Sequence, residues 1–335
     1  MTLRTFLAPV ATGLLFAAAA QAQTAGQGLD TRGIYTFNIE NDAVSTQRGT
    51  SDQYYTSGLR LGYTSGENQV PEAMANIGRF VWGDGVQRVS IDISQSIFTP
   101  KKTQLDPPDP HDQPYSAQLA LNLALITDQA NSRSTLGATL GVVGKAAGGH
   151  VVQNGFHSIV GDTPNRGWGS QLEDEPSVQI NVGRTYRFAV ATLGGLEIDA
   201  LPSGFANAGT TYDYAQLGFA FRIGQGLASD YGTPRMLPGL SGTDAYRSVR
   251  PFSWYFELGA DGRAVAHNVF LDGNTFRSNG PHVSKKWDVG ELVAGVGLIY
   301  RGVRVTYTQT WRTEEFNGQK AGLFNFGSLA LSTKF

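Results

Sequence analysis

Cysteine is absent from this 335-residue chain. That absence excludes a disulfide framework and any thiolate metal site. Charge is scarce: Asp, Glu, Lys and Arg make up 16% of the residues, against roughly 25% in soluble domains. The net charge of −2 gives no electrostatic case for a nucleic-acid partner. Beyond the amino-terminal segment there is no apolar run of about 18 residues, so no transmembrane helix is expected. Three hydrolase and nucleotide signatures are also missing: the G-x-S-x-G elbow, H-E-x-x-H and the Walker A loop. Those absences remove the commonest soluble hydrolase mechanisms and leave open attack by a metal-aided water.

What is present begins with an export signal. Arg4 supplies a positive n-region, Phe6 to Ala20 an apolar core, and Ala20-Gln21-Ala22 a small-x-small cleavage site. Residues 1–22 are therefore read as a signal peptide, with one domain over 23–335. Glycine is abundant, at 42 residues, and mean hydropathy is −0.20. Alternating strands hide their lipid face from such an average. The alternation itself is plain. Tyr35, Phe37 and Ile39 stand opposite Thr36, Asn38 and Glu40; Val303, Val305, Tyr307 and Trp311 stand opposite Arg304, Thr306, Thr308 and Thr310. A polar face beside an apolar one suits a polar lumen and a lipid exterior, although Gln309 interrupts the apolar side. The chain closes on Leu329, Leu331, Thr333 and Phe335, a last strand ending in an aromatic residue, as barrels handled by the outer-membrane assembly machinery do.

The pattern predicts an all-β fold: a transmembrane antiparallel β-barrel of about twelve strands in a Gram-negative outer membrane. The strands fall near 33–42, 55–65, 87–98, 114–126, 134–144, 177–188, 190–201, 212–224, 251–270, 287–300, 302–313 and 324–335. With both ends periplasmic, the outer loops are about 43–54, 99–113, 145–176, 202–211, 271–286 and 314–323. Segments 66–86 and 225–250 are long for periplasmic turns; a packed helix near Pro71–Phe80 would use part of the first.

Chemistry concentrates in the first three outer loops. Asn41-Asp42 ends the first strand and offers oxygens of the kind hard cations such as calcium take, although Asn-Asp is equally a turn former. Thr56 shares parity with Arg60 and Thr64, which predicts an inward side chain beside Asp42. In the third loop, Val152, Phe156, Ile159 and Val160 lie at helical spacing, with Gln153 and His157 four apart on one face. His157 is the best base by residue type, against an ordinary surface histidine. Trp168 suits an interfacial anchor, and the Glu173–Glu175 run a solvated loop or a neighbour of bridging cations. Lys101 and Lys102 suit phosphate contacts as point charges, or a solvated, proline-stiffened loop.

Taken in order, Asn41-Asp42, Tyr55-Thr56-Ser57-Gly58-Leu59, Gln95-Ser96-Ile97-Phe98-Thr99-Pro100, Gly148-Gly149, Gln153-Asn154, His157, Gly161, Trp168 and Gln171-Leu172-Glu173 resemble the lipid A 3′-O-deacylase (LpxR-type) family of outer-membrane barrels. The resemblance spans the first to sixth strands; beyond them it is one of barrel strands only. It implies an esterase that removes the 3′-linked acyloxyacyl chain of lipid A, the anchor of lipopolysaccharide, at the outer leaflet. It further implies a Ca2+ ion supported by Asn41 and Asp42, Thr56 lining the site, and His157 activating water. Lys101 or Lys102 corresponds to a substrate-contacting lysine, with Gln153 and Trp168 in the substrate wall. The family carries a functional glutamate six residues after the histidine. This chain has Thr163 there, so either Asp162 or Glu173 takes that place in the metal set, or the role is dispensable. Two rivals remain: an outer-membrane phospholipase with a serine nucleophile, and a non-enzymatic barrel or pore lined by Arg60, Glu257, Asp261 and Arg304.

Overall fold

The computed structural model describes residues 28–46, 52–236 and 244–335; the signal-peptide assignment lies outside them. The strands are β1 (Ile34–Asn41), β2 (Tyr54–Thr64), β3 (Val86–Thr99), β4 (Ser116–Gln129), β5 (Ser132–Val143), β6 (Glu175–Tyr186), β7 (Phe188–Leu193), β8 (Leu196–Gly209), β9 (Tyr212–Gln225), β10 (Phe252–Asn268), β11 (Asp288–Tyr300), β12 (Val303–Arg312) and β13 (Phe324–Lys334). All neighbours run antiparallel. β1 pairs with both β2 and β13, while β6 pairs with β5 and β8, so the sheet closes on itself. β7 continues the line of β6 past Arg187 and pairs with the other end of β8. The two act as one stave, which makes a closed barrel of twelve.

The alternation decides which side of the wall each residue takes. On β12 Arg304, Thr306, Thr308 and Thr310 are buried, whereas Val303 and Val305 are exposed. Gln309, on the apolar side, is buried because the Val44–Thr46 turn folds over it: its Oε1 accepts from the Thr46 N–H at 2.9 Å, and its Nε2 donates to Phe326 O at 3.1 Å. Phe335 closes the chain against the first strand, its N–H donating to Gly33 O at 3.1 Å.

One stretch departs from expectation. A strand at 190–201 followed by an outer loop at 202–211 was predicted. Instead the chain turns at Gly194-Gly195, both at positive φ (58° and 84°), and 196–209 is a full crossing strand. Two consecutive left-handed residues are what a tight two-residue hairpin demands, and glycine supplies them without a Cβ clash. The outer connection is then only 210–211.

The two long segments at the end holding both termini differ in purpose. Residues 72–82 form helix α1 (Glu72–Trp82), packed outside the wall. Residues 226–251, as far as they are described, run into the lumen. Asp244 meets Arg60 of β2 at 2.6 Å; Asp230 meets Arg222 of β9 at 2.6 Å and Arg304 of β12 at 3.4 Å; Arg235 meets Asp261 of β10 at 2.9 Å and Glu291 of β11 at 3.1 Å. Glu257 accepts from the N–H and hydroxyl of Thr233, both at 3.1 Å. The inward charges therefore pair with a plug within a filled lumen. A cavity of about 100 Å³ remains between plug and wall. Buried charges left unpaired would cost several kcal/mol each, which gives the length of this segment its physical reason. At the opposite end, Tyr54, Tyr55, Phe98, Phe270, Phe316, Phe324 and Phe326 close over the lumen as an aromatic cap.

Candidate active site

The site starts from an irregularity in β2. Tyr55 faces Phe98 across the ladder and Ser57 faces Ile97, so Thr56 is an extra residue in a β-bulge. A bulge reverses side-chain parity on its far side. Tyr55 is thereby turned inward, its hydroxyl donating to Glu40 at 2.9 Å. Thr56 turns to the outer face, where its hydroxyl meets Thr99 Oγ1 at 2.7 Å. Thr99 shares that face with the exposed Ile91 and Ile93 of β3. The expected inward Thr56 is thus corrected: parity holds only while the register does.

Helix α2 (Gly149–Val160) covers this outer face at the rim. Gly148 (φ +73°) and Gly161 (φ +78°) bracket it, and the Gly161 N–H returns to His157 O. The helix comes close to β4: a Cβ on Gly149 would lie 2.5 Å from Ala117 Cβ and 2.8 Å from the Trp168 ring. Gln153 and His157 face inward from α2, while Val151, Phe156, Ile159 and Val160 are exposed on its other side.

His157 is 5% exposed and held at both nitrogens. Nδ1 lies 2.9 Å from Thr163 O, and Nε2 lies 2.6 Å from Asp52 Oδ2. A carbonyl only accepts, so Nδ1 donates there, and Nε2 is the nitrogen that faces Asp52. From Asp52 a polar chain leads back to the first strand. Thr99 donates to Asp52 O at 3.1 Å, which leaves Thr56 to donate to Thr99; Asn41 Nδ2 donates to Thr56 O at 2.9 Å. Asn165 adds a contact from Nδ2 to Asp52 Oδ2 at 3.3 Å and is itself held by Asn154 in two hydrogen bonds. Asp42 is buried and opens the turn after β1.

The arrangement thus joins His157, Thr56 and Asn41 on one rim and adds Asp52 and Thr99, which sequence reasoning did not select. One local signal marks Asp52: it and Tyr54 both have positive φ, 27° and 62°. Strain of that kind in non-glycine residues concentrates at working sites. Thr163, in the place of the family's glutamate, contributes its carbonyl rather than its side chain.

Other expected members are elsewhere. Gln153 and Trp168, assigned to the substrate wall, are buried against each other, with Trp168 Nε1 donating to Gln153 Oε1 at 3.1 Å. They brace the helix because an indole N–H sealed from water needs a partner. Glu173 is drawn away by Lys145 at 3.1 Å. The exposed Asp162 caps its own turn, accepting from the Thr163 N–H at 2.7 Å. Among the described residues no cluster of three His, Asp or Glu side chains suits a metal. The four-residue calcium set is therefore not assembled. Asn41 and Asp42, adjacent in the chain, are an amide and a carboxylate of the donor type a hard cation takes. Lys101 and Lys102 are exposed at the start of the second outer loop, where Asp112 Oδ2 accepts the Lys101 N–H at 2.9 Å. Burial pushes the Asp112 carboxyl above its ordinary range despite that bond.

A closed twelve-stave barrel with an apolar exterior, a polar plugged lumen and a histidine site on its rim defines an outer-membrane β-barrel protein. The family model described as "Outer membrane protein LpxR" matches residues 8–335, and the chain belongs to that family. LpxR from Salmonella typhimurium has the same fold: TM-score 0.75 at 21% identity, over 90% of this chain and 100% of that one. The β-domain of the Bordetella autotransporter Brka is much more distant, with TM-score 0.40 at 10% identity over 92% and 100% of the two chains. No curated protein sequence matches the chain.

Proposed function

We propose that the protein is a lipid A 3′-O-deacylase, a carboxylic ester hydrolase that works from the outer leaflet with His157 as general base. The observation that carries this reading is the pairing of His157 Nε2 with Asp52 in a niche between α2 and the outer wall. A substrate dissolved in the membrane reaches that face without entering the lumen. The family resemblance supplies the substrate class, and the missing serine motif agrees with direct attack by water.

Each residue then has a role. Thr163 O accepts from Nδ1–H and so directs Nε2 toward Asp52. In the reacting complex a water comes between Nε2 and Asp52; Nε2 removes its proton as the water oxygen attacks the ester carbonyl, and returns that proton to the departing alkoxide. Such a base contributes roughly 10²–10⁴-fold. Asp52 orients the ring and offsets the imidazolium charge that develops. Thr99 and Thr56 hold Asp52 and the end of β1 in register. Asn41 and Asp42 would hold Ca2+, with substrate and water oxygens completing its shell. The ion, when bound, polarises the ester carbonyl. Lys101 and Lys102 supply point charges for lipid A phosphates.

Both rivals fit less well. A serine nucleophile needs its hydroxyl beside His157 Nε2, and the side chain found there is that of Asp52; a pore needs the lumen that the plug fills. The test is mass spectrometry of lipid A from cells expressing wild type or His157→Ala at equal barrel levels. Loss of the 3′ acyloxyacyl group only with wild type is expected; identical acylation in both rejects the proposal. Labelling by a fluorophosphonate probe would favour the phospholipase instead.

A further inference from the structure

Helix α1 lies at the end of the barrel opposite the site, and its three flanks are chemically distinct. One flank meets the wall. Gly78 is buried over Gln87 and Leu125, where a Cβ would approach to 2.6 Å and 2.9 Å, and Gln87 Nε2 donates to Ala75 O at 3.2 Å. Both wall residues point outward, sharing parity with the exposed Ile91 and Ile93 of β3 and Leu121 and Leu123 of β4. A second flank carries Glu72, Asn76 and Arg79, tied by an Arg79–Asn76 hydrogen bond. The third, on the opposite side of the wall contact, carries Ile77, Phe80 and Val81, exposed by 49%, 91% and 43%. At 100° per residue Glu72 and Arg79 lie well around the helix from Ile77 and Val81, while Asn76 and Phe80, four apart, adjoin at the boundary between the two flanks.

We propose that α1 is a membrane foot: its Ile77–Phe80–Val81 flank inserts among the acyl chains of phospholipids in the periplasmic leaflet, while Glu72, Asn76 and Arg79 face water. The helix continues the lipid-facing belt of the barrel: it packs on the outward Gln87 and Leu125, and its last residue lies beside the outward-facing Arg184 of β6. That guanidinium stands over the ring of Trp82, the last residue of α1, at 5.7 Å and over Tyr186 at 5.0 Å. Aromatic residues with a basic partner at one level are what a barrel places at the membrane interface. A helix with an apolar side at that depth lies in the interfacial plane, its apolar side toward the acyl chains.

The test exploits the absence of cysteine. A nitroxide on Ile77→Cys or on Arg79→Cys is the only label in its chain, and either barrel can be reconstituted in phosphatidylethanolamine–phosphatidylglycerol vesicles. The oxygen-to-nickel-chelate accessibility ratio should be several-fold higher at position 77 than at 79, with Val81→Cys behaving as Ile77→Cys does. Equal ratios at 77 and 79 would overturn the proposal. So would label–label broadening at position 77, which would put a second copy of the chain on this flank. Heat-modified migration on gels confirms that each variant is folded before it is read.

Discussion

The lumen and the outer rim of this barrel handle polarity in opposite ways. The lumen holds arginines and carboxylates in number. Arg222 alone contacts Asp199 and Asp230, each at 2.6 Å, and Glu291 meets Arg235, Arg263 and Arg312. The rim site holds one histidine, one aspartate in contact with it, and small hydroxyl and amide side chains. β2 serves both regions, giving Arg60 to the plug and Thr56 to the site, with a single bulge between the two directions. A dense charge cluster here is a device for filling a cylinder. The proposed chemistry sits where the ionisable groups are few and one imidazole nitrogen faces a single carboxylate.

That contrast can be broken from either side. The largest effect should come from His157→Ala, a loss of roughly 10²–10⁴-fold in deacylation with heat-modified migration unchanged, read by lipid A mass spectrometry. Arg222→Met should do the reverse. It leaves Asp199 and Asp230 buried without their cation, a loss of about 3–5 kcal/mol visible in urea unfolding, while the molecules that fold keep their activity. Removing residues 230–247 should turn a closed barrel into a conducting one in planar bilayers; a silent bilayer would mean that the aromatic cap alone seals the lumen. Asp52→Asn should keep the barrel folded and lower kcat with a changed pH profile. An unchanged profile would reduce Asp52 to a neighbour.

The smallest effect concerns the rim loops. Lys286, 2.5 Å from Glu314, holds that carboxyl below its ordinary range. A depressed carboxylate stabilises above its unfolded value near pH ~4.3, and the benefit is lost as pH falls through the lower folded value. Proteolysis of loop 313–323 should therefore quicken below that window in wild type and depend less on pH in Glu314→Gln. Salt should narrow the difference, since the pair is exposed.

Most of the barrel was readable because period-2 alternation is local: each strand declares its two faces in its own residues, as Val303 to Thr310 do. The helix around His157 was readable for the same reason at its own period. The strand near 190–201 was misplaced because apolar residues flank the Gly194-Gly195 turn on both sides and the pattern alone does not mark the reversal. Within the site, His157, Asn41 and Thr56 were identifiable by residue type and order, but Asp52 was not. Its contact with His157 comes from the approach of the third outer loop, and nothing in its neighbours records that approach. Glu173 was a reasonable ligand by composition until Lys145, 28 residues earlier, claimed it.

Taken alone, the amino-acid order determined the class of architecture, the two-faced strands and the residues with chemical capacity, because these depend on neighbours one to four positions apart. Tertiary structure alone decided which carboxylate reaches the imidazole, that Thr56 leaves the lumen for the outer face, and that the described parts of segment 226–251 fill the cylinder. Those outcomes depend on register and on charge pairs between distant segments, such as Arg60 with Asp244. A one-residue slip reverses a side chain, and a buried charge finds its partner only once the wall has closed.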